Sequence, residues 1–367
     1  MKNSGLYIHV PFCASKCPYC DFYSAKADEE GMDRYVLALC EEIKRKSEEY
    51  PFSADTIYFG GGTPSLLGAK RLNGILDEIC KYFTPAENAE ITVECNPSSA
   101  DQNFFNDIAL SGFNRISMGL QSFVDRERKI LGRRGSGKDV LKRVEEARKA
   151  GIENISLDLM LGIPNQTPES FSESLNACID SGVPHISGYM LKLEEGTPFY
   201  KMQDKLLLPD EDAVCDMYIQ MCETFEKAGI NQYEVSNFAV KGMESKHNLK
   251  YWRCEEYLGI GPSAHSFMNG KRFFYPRDTE KFIISPETVQ DGNGGDFEEY
   301  AMLALRLKDG LKESETLSRF GFGIPKEVYE AAEKFKKFQL VEINEEGINL
   351  TPKGFLLSNT VISELIL

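Results

Sequence analysis

Six short, largely apolar runs separated by amphipathic segments constrain the fold of this chain more than any other feature. The runs are Leu6–Val10, Thr56–Phe59, Glu90–Cys95, Arg115–Leu120, Asn154–Leu159 and His185–Leu191. Between them lie stretches with helical spacing of apolar residues, among them Arg34–Glu49, Lys70–Tyr82, Lys138–Ala150 and Glu169–Ser181. Strands that alternate with helices must be joined by crossovers, so the pattern predicts an α/β fold with a parallel sheet. Six units in series predict a partial (β/α)6 barrel. Such barrels bind ligands at the C-terminal ends of their strands. The sequence places its unusual residues there: a Cys-rich loop after the first run, GGGTP after the second and GIP after the fifth.

At 367 residues the chain exceeds a core of ~100–200 residues, so an appendage to the barrel is expected. The alternation stops near residue 205. A helix over Asp210–Ala228 precedes a loop-rich stretch, and QDGNGGD at 290–296 reads as a linker. The expected division is a barrel over 1–235, a connecting segment over 236–290 and a mainly helical domain over 291–367. That last part reads as helices over Phe297–Lys308, Lys312–Phe320 and Lys326–Phe338, a hairpin around Asn344–Gly347 and a helix over Pro352–Leu365, an order like a winged helix. Residues 291–367 carry 14 acidic against 9 basic side chains, and the whole chain has a formal net charge of −15. Nucleic acid is therefore not expected as a partner. No apolar run approaches the ~20 residues of a transmembrane helix, and the N-terminal stretch does not read as a signal peptide, so a cytoplasmic location is expected.

Ten cysteines are too few for a disulfide scaffold. Cys40, Cys80, Cys95, Cys178, Cys215, Cys222 and Cys254 are scattered through helix- and strand-like segments, where a thiol packs as a small apolar group. Cys13, Cys17 and Cys20 instead form a Cys-x3-Cys-x2-Cys array directly after the first strand, with Lys16-Cys17-Pro18-Tyr19 as turn chemistry. Spacing leaves two metal readings open. Zinc needs a fourth ligand, and His9 lies back in the strand. A cubane iron–sulfur cluster on three cysteines leaves one iron for a small-molecule chelate, and the spacing favours it.

Taken in order, LYIHVPFCASKCPYCDF, FGGGTPS, TVECNP, RISMGLQSF and LDLMLGIPNQT resemble the coproporphyrinogen-dehydrogenase-like branch of the radical S-adenosylmethionine (SAM) superfamily. The resemblance covers nearly the whole chain. It implies that Cys13, Cys17 and Cys20 hold a [4Fe–4S] cluster whose open iron takes the amino and carboxylate groups of SAM. It further implies that Tyr7, Gly61, Gly62, Thr63, Glu94, Gln121, Arg133 and Asp158 bind SAM, and it selects Arg133 over the adjacent Arg134. Physical reasoning on these residues agrees. A Gly-rich turn can offer backbone N–H groups to a charged ligand, and carboxylates at a barrel mouth suit ribose hydroxyls. Alone, the turn could be an ordinary βα turn, and either carboxylate could be a helix N-cap.

Two features divide the branch. Decarboxylating members carry a further Cys two residues after the third cluster Cys, where this chain has Phe22. His247-Asn248-Leu249-Lys250-Tyr251-Trp252 matches the His-Asn-x-x-Tyr-Trp motif of the heme chaperones. The resemblance thus implies a radical-SAM-fold chaperone that binds cluster, SAM and heme, and hands heme to an acceptor protein. Under that reading His247 ligates heme iron while Tyr251 and Trp252 cover the macrocycle. His265, in GIGPSAHSF, is the rival imidazole, although the family match places it near SAM. The alternatives are oxygen-independent decarboxylation of coproporphyrinogen III, which Phe22 disfavours, and radical-SAM heme degradation.

Overall fold

The computed structural model describes residues 2–366. All six runs are strands: β1 (Asn3–Val10), β2 (Ser53–Gly61), β3 (Pro85–Cys95), β4 (Arg115–Gln121), β5 (Asn154–Leu161) and β6 (His185–Met190). They pair in sequence order and all in parallel. The expected amphipathic helices span Glu29–Glu49, Ala69–Tyr82, Gly137–Lys149 and Pro168–Asp180. Two of them start with reciprocal capping boxes, Ser136 with Asp139 and Thr167 with Ser170.

The strands are apolar on one face only. Leu6, Ile8, Ile57, Phe59, Val93, Ile116, Met118, Ile155, Leu157 and Leu159 are fully buried in the common apolar core. Burial of each such side chain contributes about 1.5–3 kcal/mol, which holds the helices on the sheet. Because side chains alternate along a strand, the intervening residues share the opposite, concave face. Register aligns Tyr58 with Thr92, Thr92 with Arg115, Arg115 with Asn154, and Ser156 with His185. The lumen of the barrel is therefore polar, which a reading of these runs as simply apolar had not anticipated. Thr92 Oγ1, Arg115 Nε and Nη1, and Asn154 Oδ1 find no protein partner there.

The segment expected as a connector is part of the sheet. β8 (Asn237–Ala239) adds antiparallel to β6, and β7 (Asn231–Gln232) pairs antiparallel with β8 at the sheet edge. On the other side β9 (Tyr257–Ile260) runs parallel to β1 and is followed by the antiparallel β10 (His265–Met268), β11 (Lys271–Phe274) and β12 (Val289–Asn293). The result is a sheet of 12 strands, ordered β12-β11-β10-β9-β1-β2-β3-β4-β5-β6-β8-β7. Most of the expected linker is thus edge strand β12. Strands of two to five residues are too short to show periodicity. One local signal was present, however: Asn269-Gly270 joins β10 to β11 with φ of 52° and 72°, the backbone of a tight hairpin turn.

The C-terminal part follows the expected order. Helices Phe297–Ala304, Glu313–Phe320 and Lys326–Lys336 surround a small sheet of β13 (Leu311–Lys312), β15 (Gly347–Leu350) and β14 (Val341–Ile343). The expected last helix is broken at Leu357 into Pro352–Leu356 and Ser358–Ile366. Its buried apolar residues, Tyr300, Val328 and Ile348 among them, are continuous with those of the barrel. No helix among the described residues is long and apolar enough to cross a membrane.

Candidate functional site

The Cys loop closes over the C-terminal ends of the barrel strands. Its base is pinned where the Cys13 N–H donates to Ala25 O and the Ala25 N–H to Pro11 O, at 3.2 and 2.6 Å. Its far side is pinned where the Phe199 N–H donates to Pro18 O at 2.9 Å. Cys13, Cys17 and Cys20 are all free thiols and half-buried. Burial, then the neighbouring Cys17 and Cys13, raise the Cys20 thiol above its ordinary range. Among the described residues no three His, Cys, Asp or Glu side chains converge tightly enough to hold a single metal ion. Three soft donors on one half-open loop, without a fourth ligand, fit a cluster that binds each thiolate at a separate iron better than tetrahedral zinc.

Around this loop the barrel mouth gathers the residues that the sequence singled out. Thr63 Oγ1 lies 3.4 Å from Cys13 Sγ. Arg133 Nη1 reaches 4.0 Å from Cys17 Sγ, and its Nη2 donates to Gly119 O at 3.0 Å. Arg134 is exposed instead. A Cβ on Gly119 would lie 2.4 Å from Arg133 Nη2 and 2.7 Å from Gln121 Nε2, so glycine lets both side chains lie across β4. Glu94 accepts from the Tyr58 hydroxyl at 2.9 Å and the Gly61 N–H at 3.2 Å. Burial, reinforced by the Asp158 charge, pushes Glu94 up to about 7. Asp158 accepts from Ser117 Oγ at 3.0 Å, and burial raises it as well. Two half-buried carboxylates thus face one polar space, poised to accept from hydroxyls or to offset a cation. Tyr58, Ser117 and Arg115 belong to this set and were missed. Their signal was the polar–apolar alternation inside the strands.

The glycine turn differs from expectation. The Gly61 N–H is taken by Glu94, the Gly62 N–H by Val10 O at 2.8 Å, and the Thr63 N–H by Phe12 O at 2.7 Å. These donors are not offered to a ligand, which leaves the turn its carbonyls and the Thr63 hydroxyl. Glycine is required for close approach: at Gly61, φ is 107° and a Cβ would sit 2.6 Å from the His9 ring.

The His-Asn-x-x-Tyr-Trp segment forms the helix Lys246–Trp252, away from the mouth. Its start is clamped by Glu90, which accepts from the Lys246 and His247 N–H groups at 3.0 and 3.1 Å. His247 is 1% exposed, and its ring stacks on Tyr58 at 5.3 Å. Thr56 Oγ1 meets Nδ1 and the Tyr251 hydroxyl meets Nε2, each at 2.8 Å. Burial, with Lys250 and Arg115 nearby, drives the imidazole down to about 3, so it is neutral. Trp252 points elsewhere, with the Arg306 guanidinium 6.0 Å over its ring. The expected arrangement, an open imidazole with Tyr251 and Trp252 over a macrocycle, is not what this conformation presents. Lys250 fixes the helix further through Asp55 and Glu255 at 2.8 and 3.1 Å.

Comparison with known proteins identifies the family and the fold. The radical SAM superfamily matches residues 7–178. The heme chaperone HemW of Lactococcus lactis is 34% identical over 374 residues, covering 100% of this chain and 98% of that protein. HemW of Bacillus subtilis is 35% identical over 382 residues, covering 100% and 99%. The solved structure of coproporphyrinogen III oxidase HemN from Escherichia coli, described as a radical SAM enzyme, superposes with a TM-score of 0.84. It covers 99% of this chain and 89% of that one at 21% identity, a likeness of fold.

Proposed function

This chain belongs to the family of the heme chaperone HemW, within the radical SAM superfamily, and from that premise we propose that it binds heme and delivers it to an acceptor protein in the cytoplasm. Cys13, Cys17 and Cys20 hold a [4Fe–4S] cluster in this reading. Tyr7, Gly61, Gly62, Thr63, Glu94, Gln121, Arg133 and Asp158 bind SAM beside it. The cluster supplies an open iron that chelates the methionine end of SAM and an electron source within the site. The rest is done by the chain. Arg133 lies between the loop and β4 and offsets negative charge at the thiolates. Glu94 and Asp158 accept from ribose hydroxyls at the mouth, with Tyr58 and Ser117 fixing their orientation.

The observation that carries this reading is the juxtaposition of three half-buried free thiols with two half-buried carboxylates over one polar barrel mouth. Phe22, 68% exposed on the same loop, stands where decarboxylases have Cys, which speaks against coproporphyrinogen as substrate. The helix Lys246–Trp252 enters the reading as a plug in the barrel floor. The test is anaerobic incubation of cluster-loaded protein with SAM, a strong reductant and either heme or coproporphyrinogen, followed by mass spectrometry. Bound, intact heme and unchanged coproporphyrinogen are expected. Repeated turnover to protoporphyrinogen would replace the chaperone reading with the decarboxylase.

A further inference from the structure

Heme iron needs an axial ligand with a free lone pair. Three of the four histidines have none to give. His9 contacts the Tyr7 hydroxyl through Nδ1 at 3.1 Å and Tyr23 O through Nε2 at 3.2 Å. His185 is buried between Ser156 Oγ and the Tyr233 hydroxyl at 2.7 and 2.9 Å. His247 is closed by Thr56 and Tyr251. Among the described residues His265 is the one imidazole with neither ring nitrogen in a hydrogen bond, and it is exposed at the first residue of β10.

Its position is as informative as its freedom. β9 runs parallel to β1, so its C-terminal end, and the turn that leads to His265, lie at the barrel mouth. Register carries the concave face outward from the lumen: Gly5 and Tyr7 on β1 align with Tyr257 and Gly259 on β9, and Tyr257 aligns with Phe267 on β10. His265, two residues before Phe267, is therefore on that same face. It aligns with Phe274, and Phe274 with Val289. The Phe274 ring stacks on the imidazole at 5.0 Å and 22°, and Val289 is 45% exposed. Imidazole, aromatic ring and branched aliphatic thus form an open strip across three strands. Burial lowers the His265 proton affinity below its ordinary value, opposed by Asp291 and aided by Arg277 and Arg272. Arg272 is engaged with Glu299, whereas Arg277 is largely exposed with a loose 3.8 Å contact to Asp21. Arg277 is thus available to a carboxylate.

We propose that His265 is the axial ligand to heme iron, with Phe274 and Val289 against the macrocycle and Arg277 toward a propionate. The proposal rests on the heme-chaperone reading and deepens it.

Hemin titration of the full-length, cluster-loaded protein tests it, read as a difference spectrum and by electron paramagnetic resonance of the ferric iron. Wild type should saturate at equimolar heme with a histidine-ligated signature. His265→Ala should lose that signature and weaken binding roughly tenfold or more, and added imidazole should restore the signature. His247→Gln should retain it. His265 is exposed and unbonded, so the alanine variant should fold, as circular dichroism will show. If wild type binds hemin and His265→Ala matches it in affinity and spectrum, the ligand assignment fails and the chaperone reading stands. If wild type binds no hemin, both fail.

Discussion

Replacing His247 with Ala separates a structural from a ligand role for the His-Asn-x-x-Tyr-Trp segment. The substitution leaves Thr56 Oγ1 and the Tyr251 hydroxyl buried without their shared partner. Each orphaned group costs about 1–3 kcal/mol. The ring also leaves a void beneath Tyr58, and lost buried side chains of this size cost ~2 kcal/mol or more. The sum is about 4–8 kcal/mol, a large share of the ~5–15 kcal/mol that stabilises a folded domain. In urea, with a slope of about 3 kcal/mol/M, the unfolding midpoint should fall by roughly 1.3–2.7 M. The loss should depend on pH. His247 titrates at about 3 in the fold against an ordinary 6.5. Its contribution is thus complete above pH 6.5 and fades as pH falls toward 3, so the gap between wild type and variant should narrow over that window. An unchanged midpoint at pH 7.5 together with lost heme binding would refute the plug and restore His247 as the ligand.

Other consequences are equally specific. Cys13→Ala, Cys17→Ala or Cys20→Ala should abolish iron and labile sulfide in anaerobically reconstituted protein, whereas Cys40→Ala and Cys222→Ala should not; stoichiometric zinc without sulfide would contradict the cluster. Glu94→Gln and Asp158→Asn should weaken SAM binding by about 1.5–3 kcal/mol, or roughly ten- to a hundredfold, with iron content unchanged; calorimetry decides this. Burial lifts Glu94 from 4.5 to about 7. Its stabilising contribution is therefore full below pH 4.5 and lost as pH rises through 7, so Glu94→Gln should make ligand-free protein more stable above pH 7, as denaturant titrations at pH 6 and 8 will show. Gly61→Ala must place a methyl group on the His9 ring at φ 107° and should lower the thermal midpoint by several degrees.

Much of the barrel was legible because each of its six strands is long enough to show a pattern and is followed by helical spacing. The cluster loop was legible too, since three cysteines within eight residues have few other uses. What escaped was the second face of the strands. Thr56 and Tyr58 alternate with Ile57 and Phe59, and Arg115 and Ser117 with Ile116 and Met118. A count of apolar residues passes over that alternation, although it announces a polar lumen. The strands after residue 230 escaped because two to five residues carry no period, and their pairing depends on partners far away in sequence. The histidine motif shows a different limit. Its residues are legible as a set, but only the fold reveals that Thr56 and Tyr251 take both ring nitrogens of His247 and Glu90 its backbone N–H.

The central claim is delivery of intact heme, and transfer tests it most directly. Heme-loaded, cluster-containing protein should be mixed anaerobically with a heme-free acceptor, with SAM and reductant present, and the two separated and analysed by mass spectrometry. The account predicts that unmodified heme moves to the acceptor and that the donor can be reloaded. Heme retained by the donor, or recovered as an opened tetrapyrrole, would contradict it.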